Sequence, residues 1–393
     1  MTKKRRNLFC ARILCASILF SLAAPVSAEE TASAVSVKAP EYVLMEPETG
    51  TVILEKDKDV PRSPASVTKV MTLLLIFEEI EKGNLKLDDT VTTSAHAKSM
   101  GGSQVFLEEG ETQTVETMIK CIVIASGNDA SVAMAEHIAG SEPEFVNAMN
   151  KKAQALGMKN THFVDCCGLT DSDDHYTTAY DIALMSRELI RKYPEILNYS
   201  SVWMDTITHN TRQGSKEFGL SNTNRLIRTY EGCVGLKTGS TSKAKFCVSA
   251  VAKRKGITLI AVVMAAPDSR TRVKDASMLF DYGFAKCSLY TDENPGKLPD
   301  LKVIKGIKEK TTLTFGKTFR CLSTDGTTFD KIKKKLILPN EVKAPVKKGQ
   351  KAGELVYYQE NRELGRIPVI YAENVKKAGY LDRLKQTAEE FCL

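Results

Sequence analysis

Pro64-Ala65-Ser66-Val67-Thr68-Lys69-Val70-Met71-Thr72-Leu73-Leu74-Leu75-Ile76-Phe77 is the stretch on which the reading turns. Its spacing predicts a helix from Ser66 to Lys82, with Val70, Met71, Leu73, Leu74, Leu75, Ile76, Phe77 and Ile80 around nearly its whole circumference. A helix without a polar face belongs at the centre of a domain. At its mouth stand Ser66 and Lys69, three apart and so on one face. A lysine amine beside a serine hydroxyl can take its proton if the amine is neutral. Burial and a neighbouring cation both favour that state. The helix N-terminus also stabilises negative charge developing near Ser66.

Ser-x-x-Lys is a short motif, expected about twice by chance in a chain of this length. It occurs three times, as Ser66–Lys69, Ser240–Lys243 and Ser242–Lys245. Only the first opens a buried apolar helix. The other two fall in a turn before a strand, where nothing holds the pair on one face.

Upstream, Tyr42–Glu46 and Thr51–Asp57 read as strands about the turn Pro47-Glu48-Thr49-Gly50. Residues 84–230 read as mostly helical, with helical spacing in Val115–Ala125, Asp129–Ala139, Glu144–Leu156 and Thr178–Lys192. Three strands follow, at Cys233–Thr238, Lys245–Lys253 and Thr258–Ala266, then a helix over Ser269–Phe284. Residues 286–370 alternate short β-like pieces with Gly, Pro and Asp turns, the texture of a small all-β domain.

Two further motifs offer chemistry. Ser126-Gly127-Asn128 lies in a loop between helical runs, where a hydroxyl and a carboxamide can meet a substrate amide; alone, Ser126, Asn128 or Asp129 would read as a helix cap. Lys237-Thr238-Gly239 ends a strand and offers a cation and a hydroxyl to a carboxylate, with a glycine that lets a ligand approach the backbone. The five histidines, His96, His137, His162, His175 and His209, form no H-E-x-x-H pattern. No Gly-x-Ser-x-Gly elbow and no phosphate loop occur, so no metal or cofactor is expected.

Taken in order on helix, loop and strand, the three motifs resemble those of the serine penicillin-recognising enzymes. The chain looks most like the low-molecular-weight penicillin-binding D-Ala-D-Ala carboxypeptidases, through Pro64–Lys69, Ser126–Ala130, Asn222-Thr223-Asn224-Arg225-Leu226, Gly235–Gly239 and Asp281-Tyr282-Gly283-Phe284. The resemblance implies an α/β (α+β) fold of the penicillin-binding and serine β-lactamase type. An antiparallel sheet with a helical subdomain spans residues 37–285, a β-rich domain spans 286–370, and an amphipathic helix follows at 371–393. It implies Ser66 as nucleophile, Lys69 as its base and Ser126 as a proton relay. Asn128, Lys237, Thr238, Gly239, Ser240 and Arg272 would bind substrate, with the N–H groups of Ser66 and Ser240 as oxyanion hole. Arg270 is a neighbouring candidate for the carboxylate-binding role of Arg272. The implied substrate is the D-Ala-D-Ala end of a peptidoglycan stem peptide, with β-lactams as inhibitors. Ala244-Lys245-Phe246 stands where many relatives carry a glycine. His175, before Tyr176-Thr177-Thr178, can line the cleft, but reads first as a surface or cap residue.

A β-lactamase would share these residues but need a carboxylate for deacylation, which Glu195 only superficially offers. A D,D-endopeptidase or transpeptidase remains open, as does a wall-binding protein with a relict site.

The N-terminus reads as a signal peptide over residues 1–28: a basic start at Lys3, Lys4, Arg5 and Arg6, an apolar run, then Val26-Ser27-Ala28. The expected location is therefore the extracytoplasmic face of the cell membrane and the wall. With Arg12, that leader carries five basic groups and no acidic one, so its removal takes the formal charge from +7 to +2. A nucleic-acid partner is not expected of so balanced a chain. Eight cysteines remain, at 121, 166, 167, 233, 247, 287, 321 and 392, and they read as buried thiols. Residues 286–352 hold sixteen Lys/Arg against seven Asp/Glu, a solvated surface or a contact for an anionic polymer or lipid. In the tail, Leu381, Leu384, Ala388 and Phe391 share one face and can lie on a membrane or pack on the β-domain.

Overall fold

The strands on either side of Ser66 come together although they lie far apart in sequence. In the computed structural model, which describes residues 35–211 and 214–391, Glu41–Glu46 pairs with Thr51–Lys56 on one side and with Ile257–Ala266 on the other. Lys245–Arg254 and Cys233–Thr241 complete a five-stranded antiparallel sheet. The signal-peptide reading and Cys392 lie outside the described residues, as does the Phe391 side chain.

Alternation along the strands explains the layers. Val43, Met45, Ile260, Val262 and Met264 face one way and join the core of the helices Lys69–Glu81 and Ala179–Lys192. Leu44, Leu259, Ala261 and Val263 face the other way, against Leu279 and Phe280 of the helix Ser269–Lys286. A sheet covered on both faces needs apolar residues at successive positions, which is why Leu259–Ala266 reads as one unbroken apolar run. The nine residues Lys69–Phe77 are all buried, as an apolar circumference demands.

Three expectations need correction. The helix does not begin at Ser66. Ala65–Thr68 is a 3-10 turn and the α-helix runs Lys69–Glu81. Ala65, at its start, holds a φ of +48°, outside the right-handed helical region. Residues 84–230 are not mostly helical throughout: Met204–Thr211 and Gly214–Ser221 form an antiparallel hairpin, and Thr90–Thr92 pairs with Thr112–Thr114. The helix Asn128–Ala139 starts from Gly127 with no side-chain cap, so Ser126, Asn128 and Asp129 are free for other work.

Towards the C-terminus, Leu313–Phe315, Arg362–Tyr371, Lys351–Gln359 and Lys333–Ile337 form a four-stranded sheet, with smaller sheets beside it. Its core centres on Phe319 stacked over Tyr357, ring centroids 3.7 Å apart, with the Tyr357 hydroxyl donating to Asp292 at 2.8 Å. The helix Tyr380–Phe391 leaves Leu381 78% and Leu384 51% exposed, and Gln386 donates to the Gly306 carbonyl. No helix among the described residues is long and apolar enough to cross a membrane. The seven described cysteines are free thiols, all buried except the half-buried Cys321.

Candidate active site

Of the 3-10 turn Ala65–Thr68, only Ser66 is not buried. One turn on, Lys69 is wholly enclosed, with its Nζ 3.0 Å from Ser66 Oγ, 2.6 Å from Asn128 Oδ1 and 2.8 Å from the Cys167 carbonyl. The last two oxygens can only accept. A neutral amine has two N–H bonds and one lone pair, so those oxygens take both N–H bonds and the lone pair is left for the Ser66 hydroxyl. Burial lowers the Lys69 pKa from the ordinary lysine range. The two groups stand at a distance across which a proton can pass.

The second motif closes the site from the helical side. Ser126 is buried at a φ of +64°, a conformation a non-glycine residue keeps only when its surroundings enforce it. Its hydroxyl accepts from Lys237 Nζ at 2.9 Å. Lys237 also donates to the Thr238 carbonyl. Burial, then the nearby charges of Lys69 and Arg272, hold its ammonium well below the ordinary lysine range. Asn128, expected as a substrate contact, also braces the site: Oδ1 accepts from Lys69 and Nδ2 donates to the Gly101 carbonyl at 2.7 Å. The buried Asp129 carboxylate accepts from the N–H groups of Val105 and Leu107, pinning the loop that holds Gly101.

The third motif closes the opposite side. Gly239 lies so near the turn of Ser66 that a Cβ there would stand 2.7 Å from the Pro64 carbonyl and 2.8 Å from the Ser66 nitrogen. The approach of turn to strand therefore requires a glycine there, apart from any ligand that approaches the same backbone. Thr238 donates its hydroxyl proton to Thr223 Oγ1 at 2.7 Å, and Ser240 is exposed at the strand's end, paired with Phe246. Arg272 is buried and reaches the Gly239 and Cys247 carbonyls at 3.4 and 3.3 Å, whereas Arg270 is exposed. Of the two arginines, Arg272 is the one beside the motif. Glu195 is exposed at the start of the helix Ile196–Ser200 and shares no hydrogen bond with Ser66, Lys69, Ser126 or Lys237.

Sequence reasoning missed several members. Cys167 and Gly101 act through backbone carbonyls, which leave no trace in residue type. Thr223 was visible only as part of a family stretch. Asn224 of the same stretch donates to the Gly235 carbonyl and braces the strand of Lys237. His175 is neither a surface residue nor a cap: it is 1% exposed and bonded to Thr68 at 2.8 Å.

Residues 28–268 match the family model of peptidase S11, D-alanyl-D-alanine carboxypeptidase. The chain belongs to that family. It is a serine-type D-Ala-D-Ala carboxypeptidase of the penicillin-binding class. Residues 292–377 match the C-terminal domain of penicillin-binding protein 5, in keeping with the β-sheets there. The D-alanyl-D-alanine carboxypeptidase DacF of Bacillus subtilis is 43% identical over 351 residues, covering 89% of each chain. Among solved structures, penicillin-binding protein 5 of Haemophilus influenzae superposes with a TM-score of 0.64 at 29% identity, over 87% of this chain and 98% of that one. The DD-transpeptidase of Streptomyces K15 gives 0.59 at 30% identity, over 64% of this chain and 98% of that one. The family acts on peptidoglycan peptides and binds β-lactams.

Proposed function

We propose that this carboxypeptidase removes the terminal D-alanine of a stem peptide through an acyl-enzyme on Ser66. Ser66 Oγ attacks the carbonyl between the two D-alanines while Lys69 takes its proton. Ser126, with Lys237 behind it, relays the proton taken by Lys69 to the departing D-Ala nitrogen, and water then frees the shortened peptide, returning one proton to Ser66. The N–H groups of Ser66 and Ser240 receive the oxyanion. Arg272, and Thr238 once its hydroxyl turns from Thr223, hold the terminal carboxylate, with Lys237 adding to the local field. Asn128 keeps one N–H and one lone pair beyond its contacts to Lys69 and Gly101, enough to bind the substrate's peptide amide.

The observation that carries this reading is the enclosed Lys69 amine, 3.0 Å from Ser66 Oγ with two carbonyl-type oxygens on its other sides. The test is release of D-alanine from a pentapeptide ending in D-Ala-D-Ala. Wild type releases it and Ser66→Ala does not; equal release by both would overturn the assignment. The likeness to a DD-transpeptidase favours a second reading, in which an amine acceptor replaces water. Adding a glycine-bearing acceptor peptide separates the two: a transpeptidase yields a new cross-linked product at the expense of free tetrapeptide. The exposed position of Glu195 argues against a β-lactamase, so a penicilloyl adduct should persist rather than turn over rapidly.

We also infer export by the leader at residues 1–28, domains at 37–285 and 286–370, and peripheral contact of the segment 371–393 with the extracytoplasmic face of the cell membrane. The exposed Leu381 and Leu384 support that contact. Leu384→Glu should weaken co-sedimentation with anionic vesicles, and unchanged binding would count against it.

A further inference from the structure

His175 has no part in the chemistry above, yet it is nearly fully buried behind the nucleophile's turn. Its Nδ1 accepts from the Val164 N–H at 3.1 Å, so that nitrogen carries no proton. In the neutral ring the proton is on Nε2, which lies 2.8 Å from Thr68 Oγ1. The Thr68 hydroxyl in turn lies 2.9 Å from the Ala65 carbonyl, which can only accept. These constraints fix the direction of the whole chain: His175 Nε2–H donates to Thr68, and Thr68 donates to Ala65. Burial lowers the His175 pKa, in keeping with a neutral ring.

The chain ends on the peptide that joins Ala65 to Ser66. In a planar trans peptide the carbonyl and the N–H point in opposite directions. Anchoring the Ala65 oxygen therefore aims the Ser66 N–H. The surroundings match on both sides. A Cβ on Gly168 would stand 1.9 Å from the Ala65 oxygen and 2.7 Å from Thr68 Oγ1, so that loop backs the carbonyl directly. A Cβ on Gly239 would stand 2.8 Å from the Ser66 nitrogen, so the N–H side faces the strand that bears Ser240. Ala65 sits at a φ of +48°, which an alanine does not keep without support.

We propose that His175 is a positioning residue which, through Thr68, aims the Ser66 N–H at the oxyanion. The proposal rests on the oxyanion-hole reading above. The test is acylation by a penicillin, resolved into pre-covalent affinity and the acylation rate constant, in Thr68→Val, Thr68→Ser and His175→Phe. Valine keeps the volume of Thr68 without its hydroxyl, serine keeps the hydroxyl, and phenylalanine keeps the edge-on ring contact with Phe163.

Thr68→Val should lower the acylation rate constant about 10- to 100-fold, the scale of a misaimed oxyanion donor, with affinity within about twofold of wild type. Thr68→Ser should restore it to within about threefold. His175→Phe should resemble Thr68→Val, and it carries the test if the valine variant does not fold. Wild-type rates in either hydroxyl- or imidazole-lacking variant, or equal damage from serine and valine, would overturn the proposal. Wild type that acquires no adduct on Ser66 would instead remove the underlying reading.

Discussion

Gly239→Ala is the sharpest single perturbation of the site. The added methyl would meet the Pro64 oxygen at 2.7 Å, the Ser66 nitrogen at 2.8 Å and the Val67 nitrogen at 2.9 Å. All three are backbone atoms, so no side chain can swing away. Restoring ordinary contact of about 3.4 Å requires the strand and the nucleophile's turn to part by roughly 0.5–0.7 Å. The turn cannot follow freely. Thr68 ties it to His175, and Lys69 is bonded to Cys167 and Asn128. Overpacking of this kind costs about 1–3 kcal/mol of stability. A displacement approaching 1 Å at reacting atoms costs up to about 100-fold in rate. Gly239→Ala should therefore acylate with a fluorescent penicillin about 10- to 100-fold more slowly than wild type while still melting cooperatively. Gly219→Ala is the control, because nothing lies within 4 Å of its added Cβ. Acylation by Gly239→Ala within twofold of wild type would refute the claim that strand-to-turn contact sets the position of Ser66.

Other outcomes follow from the same geometry. Lys69→Arg should abolish acylation, because a guanidinium does not give up its proton near neutral pH, and stopped-flow labelling checks this. Since burial lowers the Lys69 pKa from 10.5, its competent neutral form gains population as pH rises through the lowered value. The acylation rate should therefore rise with pH in that window, below the range of a free lysine. The lowered folded pKa of His175 implies stability that is present above 6.5 and is lost as pH falls from there through the folded value, because the unfolded chain binds the proton first. His175→Gln should flatten that acid limb in a series of thermal melts. Leu74→Ala, at a fully buried position of the central helix, should cost about 2–5 kcal/mol in denaturant unfolding.

The legible parts of the fold were those whose side chains report their own surroundings. Val70–Phe77 announced its burial through a largely apolar circumference, and Leu259–Ala266 did so through an unbroken apolar run. The hairpin Met204–Ser221 was missed because its buried positions are sparse: Ile207 and His209 alternate with exposed threonines, and only Leu220 on the facing strand is fully covered. That period of two was there to be found, but it runs through polar residues that also fit a loop.

In the site, the meeting of Ser66 with Lys69 and of Ser126 with Lys237 was readable because three short motifs fell in order on helix, loop and strand. The 3-10 turn was not, since it depends on the φ of Ala65 and on Gly168 packing against that residue's oxygen. Nor were the carbonyls of Cys167 and Gly101, because every residue type carries one. His175 was misjudged because its partners, Val164 and Thr68, are set by tertiary contact alone.

The account depends most on Lys69 being able to shed its proton beside Ser66. A pH titration of the Lys69 side chain by NMR, in protein carrying carbon-13 at the lysine ε position and with the resonance assigned through Lys69→Arg, reads this directly. The structure calls for a midpoint displaced below the ordinary lysine value of 10.5. A Lys69 resonance that titrates together with the surface lysines would contradict it.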